Sequence, residues 1–446
     1  MRLQTRKLLD RAFAGSGLLA ILLMAAALVI LLVPMIVKGA GAIFFVGTVE
    51  HRRLMLEKFD RGPRAEIDGE IRAAQAARAP VYRMIAAFES RLDSGDPSER
   101  RRYGKALRDL KKAIHALLGP VPGTAHPMLM RDQYGQTRWD RARLKLAQVI
   151  YREEWDYSNP AQAGVRTLKP RAADFAGTEL DPLFPYLEQN LDKMLLPRRT
   201  VYWRFLTDES FDSHFFGGIW PEILGTIYLT VGAMLLAIPF GVIAAIYLTE
   251  YARESHGLNV LRTCISTLAG VPSIVFGLFG LAFFITWFKL PKSAFVGSMT
   301  LALLILPTII RASEEALRAV PATYKEAALS LGASRWRAVR TIILPAALPG
   351  ILTGIVISMG RAAGETAPII FTAAVSVGKP LAIWQTLTQA TPALSWNIYN
   401  LATEHEAVDE IRHVQYGLVF VLVSLVLGLN MVAIILRARI ARRMRA

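Results

Sequence analysis

The sequence predicts an all-α polytopic membrane protein with six transmembrane helices and a mainly helical extracytoplasmic insert. Three observations support this fold class. The 446-residue chain is 53% hydrophobic with a mean hydropathy of +0.33, and its apolar residues are clustered rather than spread. Six of these clusters approach or exceed the roughly 20 apolar residues that cross a bilayer. A polar stretch at 39–216 separates the first cluster from the other five.

The first span follows a basic head that contains Arg2, Arg6, Lys7 and Arg11. Its apolar core is longer than the 7–15 residues usual in a signal peptide, although residues 40–42 (Ala-Gly-Ala) could pass as a cleavage site. We therefore expect head and span to form a retained anchor at residues 1–38. The six predicted spans lie at about Gly17–Val37, Ile219–Leu248, Val260–Phe288, Phe295–Ile310, Ala346–Ala374 and Tyr416–Leu436.

Charged residues near the span ends predict the orientation, because short cytoplasmic loops carry an excess of Lys and Arg. Six spans place both ends of the chain on one side. Basic residues cluster in the head, in the tail and in the 313–345 loop, whereas the 376–415 loop is acidic, so both ends and the 313–345 loop are expected in the cytoplasm. Lys289 and Lys292 in a short outer loop are a minor exception. The residues concerned are Arg318, Lys325, Arg335, Arg337, Arg340, Arg437, Arg439, Arg442, Arg443 and Arg445, against Glu404, Glu406, Asp409 and Glu410.

The polar insert at 39–216 has the size of an ordinary domain. Its arginines do not oppose an extracytoplasmic position, since long loops cross the membrane largely regardless of charge. Apolar residues at helical spacing predict amphipathic helices over Ser98–Leu118 and Arg138–Trp155. We expect a mostly helical domain with irregular connections and no catalytic residues.

Composition narrows the function classes. A net charge of +16 would suit a nucleic-acid binder, but the basic residues lie beside the spans and no nucleic-acid partner is expected. Cys264 is the single cysteine, so an intrachain disulfide or a cysteine zinc cluster cannot form. Four residues have a spacing that could bring them loosely together on one side of a helix as metal ligands. The favoured interpretation is that they form the solvated face of an outer helix, so no metal site is predicted. These four are His405, Glu406, Glu410 and His413.

The chain has no phosphate-binding loop of the G-x-x-x-x-G-K-[ST] type. Gly378-Lys379 is followed by Pro380 and has alanine at the first glycine position, and Gly104-Lys105 is followed by alanine. No catalytic residue is predicted. If the protein uses ATP, another polypeptide must hydrolyse it.

The 313–345 loop, hereafter the elbow, predicts a short and rigid helix–turn–helix. Tyr324–Leu331 suits a helix, and Gly332 permits the left-handed conformation that ends one. Ser334 is a favourable N-cap for a second helix, which Pro345 must break or restart. A basic elbow of this kind is suited to dock into another protein.

The fifth span contains the most informative charges. Arg361 and Glu365 are four residues apart, so they share a helix face and can pair. Each costs about 2.5–3.5 kcal/mol at the bilayer centre, so neither is expected to face lipid. The face should meet a partner helix or line a polar pathway; a static ion pair that only fixes packing is the alternative. The small residues expected to allow close helix approach are Gly354, Ser358, Gly360 and Gly364.

Arg311 closes the predicted fourth span and has two interpretations. Its guanidinium is expected either to anchor the span at the cytoplasmic surface or to form part of an anion exit. Prolines inside the spans favour kinked or interrupted helices, either around a pathway or without a pathway role. They are Pro239, Pro272, Pro307 and Pro368.

The elbow resembles the EAA loop of ABC importer permeases through its Glu-Ala-Ala, a glycine four residues later and an Ile-x-Leu-Pro end. The positions concerned are Glu326, Ala327, Ala328, Gly332, Leu344 and Pro345. In that family the loop seats in a cleft of a cytoplasmic ATPase. The resemblance implies a type I ABC importer permease core at 217–446, which binds no cofactor itself, with ATP and Mg on the partner ATPase.

Three further segments resemble the phosphate-transport permeases, in their PstA form more than their PstC form. They are Gly360–Pro368, Val271–Leu278, and Pro307–Arg311 leading to Glu314-Glu315. The resemblance covers about residues 215–440; short PstA forms lack the insert. It implies a multi-pass subunit of a phosphate importer in the bacterial inner membrane. Arg311, Arg361 and Glu365 match the family positions associated with phosphate passage.

The implied partners are a PstC-like second permease, a dimeric PstB-like ATPase, a PstS-like periplasmic phosphate-binding protein and the lipid bilayer. Membrane arginines alone favour an anion without naming it. A permease for sulfate or molybdate is therefore one alternative. A membrane sensor with an extracytoplasmic ligand domain and a secondary transporter are alternatives of another class.

Overall fold

The computed structural model describes residues 3–95, 97–122, 136–156, 165–211, 214–405, 408 and 411–443. It divides into two compact units. The membrane unit comprises Met1–Ala42 and Arg204–Ala446, and the insert comprises Ile43–Trp203. The prediction placed these borders at 39 and 216. Residues 204–217 group with the membrane unit because the amides of Ile219 and Trp220 donate to the carbonyls of Phe205 and Asp208 at 2.9 and 3.1 Å.

The elements follow in chain order. The chain begins with α1 (Leu3–Ala40), β1 (Phe44–Gly47), α2 (Val49–Phe59), α3 (Arg64–Ser94), α4 (Pro97–Leu118) and α5 (Trp139–Ile150). Next come β2 (Tyr151–Asp156), β3 (Val165–Pro170), α6 (Leu183–Leu195), β4 (Arg198–Val201), β5 (Ser210–Phe211) and β6 (Phe216–Gly217). The rest comprises α7 (Trp220–Ile246), α8 (His256–Leu268), α9 (Ser273–Gly280), α10 (Ala294–Arg318), α11 (Ala322–Ser330), α12 (Arg335–Ala338), α13 (Leu344–Gly364), α14 (Ala367–Thr372), α15 (Leu394–Thr403) and α16 (Arg412–Arg443).

Among the described residues, five helices are long and apolar enough to cross a membrane, and a bent pair makes up to six. The five are Ala12–Ala40, Trp220–Tyr251, Ala294–Arg318, Arg335–Gly364 and Arg412–Ile440. The chain is thus a multi-pass membrane protein.

The predicted third span is not one straight helix. His256–Leu268 and Ser273–Trp287 meet at an angle of 99°. Pro272 is the N-cap of α9 and follows a tight turn in which the Gly270 amide bonds to the Thr267 carbonyl. Proline has no N–H to continue the ladder of the preceding helix, and it favours an extended residue before it, which accounts for the break.

The core of the membrane unit lies between α7, α10 and α13. Leu229, Leu301, Ile305 and Ala362 are each at most 3% exposed and pack in one cluster. Small residues allow close approach: a Cβ added at Gly241 would lie 2.6 Å from an Ile309 methyl.

The helices α10 and α13 run antiparallel in close contact. A Cβ at Gly354 would lie 2.3 Å from the Ala312 Cβ, and one at Gly350 would lie 2.7 Å from the Ala316 Cβ. Van der Waals packing of small residues holds such helices together in lipid, where no hydrophobic force acts between them.

The insert has its own hydrophobic core, formed mainly by α3, α4 and α6. Phe88, Leu110, Leu117 and Leu187 are fully buried in it. Pro97–Leu118 forms the amphipathic helix that the spacing predicts. The core residues of this helix are Leu107, Leu110, Ile114, Leu117 and Leu118.

Short strands interrupt the helices of the insert. The prediction of a helix over Arg138–Trp155 is correct only as far as Ile150, because β2 pairs antiparallel with β3, Tyr151 opposite Pro170. β1 pairs antiparallel with β4, Phe44 opposite Val201. These pairings satisfy backbone groups through partners distant in the sequence, which a local period cannot reveal.

Candidate functional site

The elbow forms a helix–turn–helix with the predicted stop and start signals. α11 ends at Ser330, and Gly332 adopts φ = +80°, a conformation that favours glycine. The Ser334 hydroxyl then accepts a hydrogen bond from the Arg337 amide at 3.3 Å and caps α12. One small residue with positive φ and one cap therefore fix the turn.

Pro345 does not break the helix that follows. A π-helical turn at Val339–Ile343 connects α12 to α13, and Pro345 occupies the first turn of α13. Proline is tolerated where its missing N–H has no regular partner, and a π turn shifts the hydrogen-bond register just before it. The elbow is consequently continuous with the span Arg335–Gly364.

The elbow carries exposed apolar side chains at its tip. Leu331 is 88% exposed, Trp336 58% and Tyr324 53%. Among the predicted coupling residues, Glu326, Ala327 and Gly332 are exposed, Ala328 is buried, and Leu344 and Pro345 are half-buried. An exposed apolar cluster with a basic rim is typical of a protein interaction surface.

Ion pairs connect the elbow and its flanks to other spans, and the sequence analysis did not identify them. The Lys325 ammonium lies 2.6 Å from the Glu250 carboxylate at the end of the second span. The buried Glu314 carboxylate lies 3.0 Å from Arg262 and 2.6 Å from Arg318. Three spans and the elbow are therefore joined at one end of the membrane unit, and two of these ion pairs, Lys325–Glu250 and Arg262–Glu314, connect residues that are distant in the sequence.

Arg361 and Glu365 pair at the end of α13. The Arg361 Nε donates to the Glu365 Oε1 at 3.1 Å, with side chains 34% and 19% exposed. The predicted span Ala346–Ala374 is wrong as a single helix, because α13 ends at Gly364 and Glu365 is extended. Pro368 in the first turn of α14 accounts for the break, since its missing N–H cannot continue the ladder of α13. The negative end of the α13 dipole favours the Arg361 cation.

The extended segment after α13 is braced by α15. The Ser395 hydroxyl donates to the Glu365 carbonyl at 3.2 Å, and the Thr366 hydroxyl donates to the Ser395 carbonyl at 3.3 Å. The break is therefore a fixed part of the fold, and it holds the Glu365 carboxylate beside the guanidinium.

Arg311 lies apart from this pair. It is exposed on α10, which continues seven residues further, and it has no ion pair with a described residue. Because Ala312 faces Gly354, Arg311 lies about 10 Å from Arg361 along the helix pair at 1.5 Å per residue. The structure thus places the two arginines at different depths.

The four predicted packing residues face different surroundings. Gly354 meets α10, and Gly360 lies 3.5 Å from the Asn430 side chain on α16, measured from an added Cβ. Gly364 faces open space. Ser358 is fully buried, and its hydroxyl has no hydrogen-bond partner among the described residues. Of the three glycines among these four residues, Gly354 therefore makes the closest approach to another helix.

A second polar cluster that the sequence analysis missed lies at the other end of α7. The His214 Nε2 is 2.8 Å from the Glu222 Oε1, and the Asn397 amide donates to the same oxygen at 3.1 Å. The side chains of His214 and Glu222 are each 1% exposed. Glu222 joins α7, α15 and the segment before α7 into one bonded group.

No group of three or more His, Cys, Asp or Glu within the part of the chain that the structure describes could hold a metal ion. Two of the four residues considered as metal ligands in the sequence, Glu406 and Glu410, lie outside the described residues. So do Arg2, Asp409 and Arg445 among the charges used to predict orientation.

Most of the membrane unit is similar to known transport proteins. Residues 237–446 match the family model of the binding-protein-dependent transport system inner membrane component. Among solved structures, a chain of the MetNI methionine ABC transporter in an inward-facing conformation aligns with a TM-score of 0.38 at 17% identity, over 50% of this chain and 94% of that chain.

Curated relatives cover about half of the chain. A probable ABC transporter permease protein of Bacillus subtilis (strain 168), YqgI, is 33% identical over 52% of this chain and 81% of its own length. Phosphate transport system permease protein PstA 1 of Mycobacterium tuberculosis is 34% identical over 55% and 78%. PstA of Yersinia pestis is 36% identical over 50% and 73%. The chain therefore belongs to the PstA-type permeases of the binding-protein-dependent ABC transport systems.

Proposed function

We propose that the chain is one of two membrane subunits of an ATP-driven importer of inorganic phosphate and forms half of its translocation pathway. The relatives named as phosphate transport permeases support the substrate. The observation that carries the mechanism is the Arg361–Glu365 pair, held at a break in a membrane span.

The partial exposure of the pair suits a half-pathway. An arginine within a membrane is costly unless it is paired or faces water, and Arg361 is one-third exposed on the isolated chain. A second permease subunit would cover this side and complete a polar passage. The guanidinium offers a phosphate ion several N–H donors in a planar fork.

Glu365 limits how tightly an anion binds. Its carboxylate competes with the solute for the same guanidinium, which is 3.1 Å away. Conduction requires binding strong enough to admit the ion and weak enough to release it. Arg311, about 10 Å along the helix pair, would then receive the anion on its way out.

The elbow transmits to the membrane helices the conformational change that the nucleotide cycle of the ATPase produces. Its exposed tip, with Leu331 and Trp336 foremost, would dock on a dimeric PstB-like ATPase that holds ATP and Mg. The continuous helix from α12 into α13 would carry that motion to Arg361, and the Lys325–Glu250 ion pair would carry it to the second span. This chain acts as a transport component, and the ATPase activity resides on the separate subunit.

A PstS-like binding protein would deliver phosphate to the extracytoplasmic side, and a PstC-like permease would be the second subunit. The chain would lie in a bacterial inner membrane with both ends cytoplasmic, in agreement with the basic elbow and tail.

Uptake of labelled phosphate into vesicles that contain all four components tests the proposal. Arg361→Ala should reduce uptake at least about tenfold, since a charged hydrogen-bonding partner of the solute is lost. Assembly with the ATPase should be retained. Arg253→Ala is a matched control, because that arginine is exposed in a loop between α7 and α8. If the Arg361→Ala variant takes up phosphate at the native rate, Arg361 has no role in the translocation pathway.

A double variant separates a pathway role from a purely structural pair. Arg361→Gln with Glu365→Gln removes both charges; glutamine matches the shape of Glu365 and leaves a shorter side chain at 361 that can still form a hydrogen bond. If the pair only fixes packing, this variant should transport nearly as well as the native protein. The pathway proposal predicts that uptake remains lost. Competition by sulfate or molybdate as effective as that by unlabelled phosphate would reassign the substrate.

A further inference from the structure

The insert contains an open cleft of about 500 Å³ that lies between α2, the first turns of α3, and β4. This volume is within the range of 300–1,000 Å³ that is usual for small-molecule sites. The family match covers residues 237–446 and does not include the insert. The function proposed above assigns no role to the cleft.

The cleft carries a surplus of positive charge. Its lining includes four arginines and two glutamates, together with His51. Burial, followed by the nearby Arg138 and Arg52, lowers the pKa of His51 to about 3, so its ring is uncharged at neutral pH. The surplus of two positive charges is therefore carried by guanidinium groups. The charged lining residues are Arg52, Arg61, Arg198, Arg199, Glu66 and Glu70.

Internal ion pairs do not use all of this charge. Arg52 pairs with Glu70 at 2.6 Å and donates to the Leu196 carbonyl at 2.9 Å, but its remaining terminal nitrogen is buried without a hydrogen-bond partner. Arg198 is 3.6 Å from Glu66, and both side chains are largely exposed. Arg199 is exposed and has no ion pair with a described residue. A buried donor without an acceptor is costly, so a ligand oxygen here would gain free energy.

The helix that supplies Arg52 is rigidly held from its other side. The buried Glu50 accepts from Arg78 at 2.8 Å and from Arg53 at 3.2 Å. Arg78 in turn donates to the Met194 carbonyl at 2.9 Å. This network fixes α2 against α3 and α6, so the side chains that line the cleft project from a preorganised surface.

The cleft also has an apolar part of its lining, called here the apolar wall. Met55, Pro63, Ile67 and Val201 contribute hydrocarbon surface, and Val201 is 61% exposed. A bare phosphate ion would occupy a small part of the cleft and leave this wall in contact with water. The loosely paired Glu66 carboxylate can accept hydrogen bonds from hydroxyl groups.

We infer that this cleft binds a small organic phosphate ester, with its phosphate on the arginines and its carbon skeleton on the apolar wall. Guanidinium groups match phosphate oxygens in a two-pronged geometry. The apolar wall and the glutamates distinguish the ester from inorganic phosphate. The inference concerns the insert alone and does not depend on the transport proposal.

Calorimetric titration of the full chain in detergent micelles, without ATP or partner subunits, tests the inference. The probes are glucose 6-phosphate, glycerol 3-phosphate, inorganic phosphate and glucose. At least one ester should bind about tenfold or more tightly than inorganic phosphate and than glucose. Failure of both esters to bind at millimolar concentration would overturn the inference, and so would equal affinity for inorganic phosphate.

Two arginine variants locate the site. Arg199→Ala should weaken ester binding by about tenfold or more, because a charge-assisted contact is lost. Arg100→Ala is the control, since Arg100 is an exposed arginine in the first turn of α4 and pairs with Asp93 at the far end of α3, remote from the cleft. Ligand-free thermal unfolding of both variants should match that of the native chain, which excludes a folding effect. Equal ester affinities of the two variants would refute the assignment.

Discussion

Replacing Gly354 with alanine tests how closely α10 and α13 must approach. The added Cβ would lie 2.3 Å from the Ala312 Cβ, whereas ordinary van der Waals contacts begin near 3.4 Å. The contacting atom belongs to a short side chain on a helix and cannot rotate away. The helices must therefore separate locally by about 1 Å, which disturbs the packing of a well-filled core.

The size of the effect follows from overpacking. Extra methyl groups in a packed core cost about 1–3 kcal/mol of the free energy of unfolding. Gly360→Ala is the matched control in the same helix, because its Cβ would be 3.5 Å from the Asn430 side chain, an ordinary contact. Both variants share the gain in helix propensity over glycine, so their difference isolates the clash.

Thermal unfolding of the purified chain in detergent gives the measurement. One kcal/mol corresponds to about 2–4 °C in a unit of this size, so Gly354→Ala should unfold roughly 2–12 °C below Gly360→Ala. If Gly360→Ala unfolds at the same temperature or lower, the close approach of α10 and α13 is not what stabilises this interface.

Two other substitutions test buried polar groups. Glu222→Ala should lower the free energy of unfolding by about 2–5 kcal/mol, since His214 and Asn397 lose their common acceptor. The control is Glu404→Ala, at an exposed glutamate that accepts from Asn400, which should change it by less than about 0.5 kcal/mol. Denaturant unfolding that shows similar losses of stability for the two variants would contradict this prediction. For His51, the folded pKa is about 3 and the unfolded value 6.5, so its contribution to stability is present above pH 6.5 and is lost as the pH falls towards 3, where the unfolded state alone binds the proton. His51→Gln should therefore flatten the fall of the unfolding midpoint between pH 6.5 and 3, and an unchanged slope would show that another group titrates.

Local signals in the sequence predicted the elbow well. A glycine that must adopt positive φ and a serine that caps the next helix act within a few residues, so their effect can be inferred without tertiary structure. The pairing of Arg361 with Glu365 followed from helical spacing in the same way. Their roles in transport stay predictions.

Predictions failed where distant contacts decide the structure. The fifth span looked continuous to Ala374, but hydrogen bonds with Ser395 on another helix fix the extended segment at Glu365 and Thr366. Tyr151–Trp155 continued the predicted helix, but these residues pair with the strand that contains Lys169. The Arg262–Glu314 ion pair and the arginine cleft combine residues separated by 50 or more positions, and the composition of the chain contains no signal for such long-range contacts.

The chain leaves for the insert and returns from it on neighbouring strands, since Phe44 of β1 lies opposite Val201 of β4. Paired strands are about 5 Å apart, a gap that a two-residue turn closes. The roughly 160 residues between them can therefore be treated as one insertion. A single insertion or deletion in the gene could add or remove this segment without changing the distance that the flanking chain must bridge. The same junction offers a place to graft a reporter protein whose own ends lie side by side.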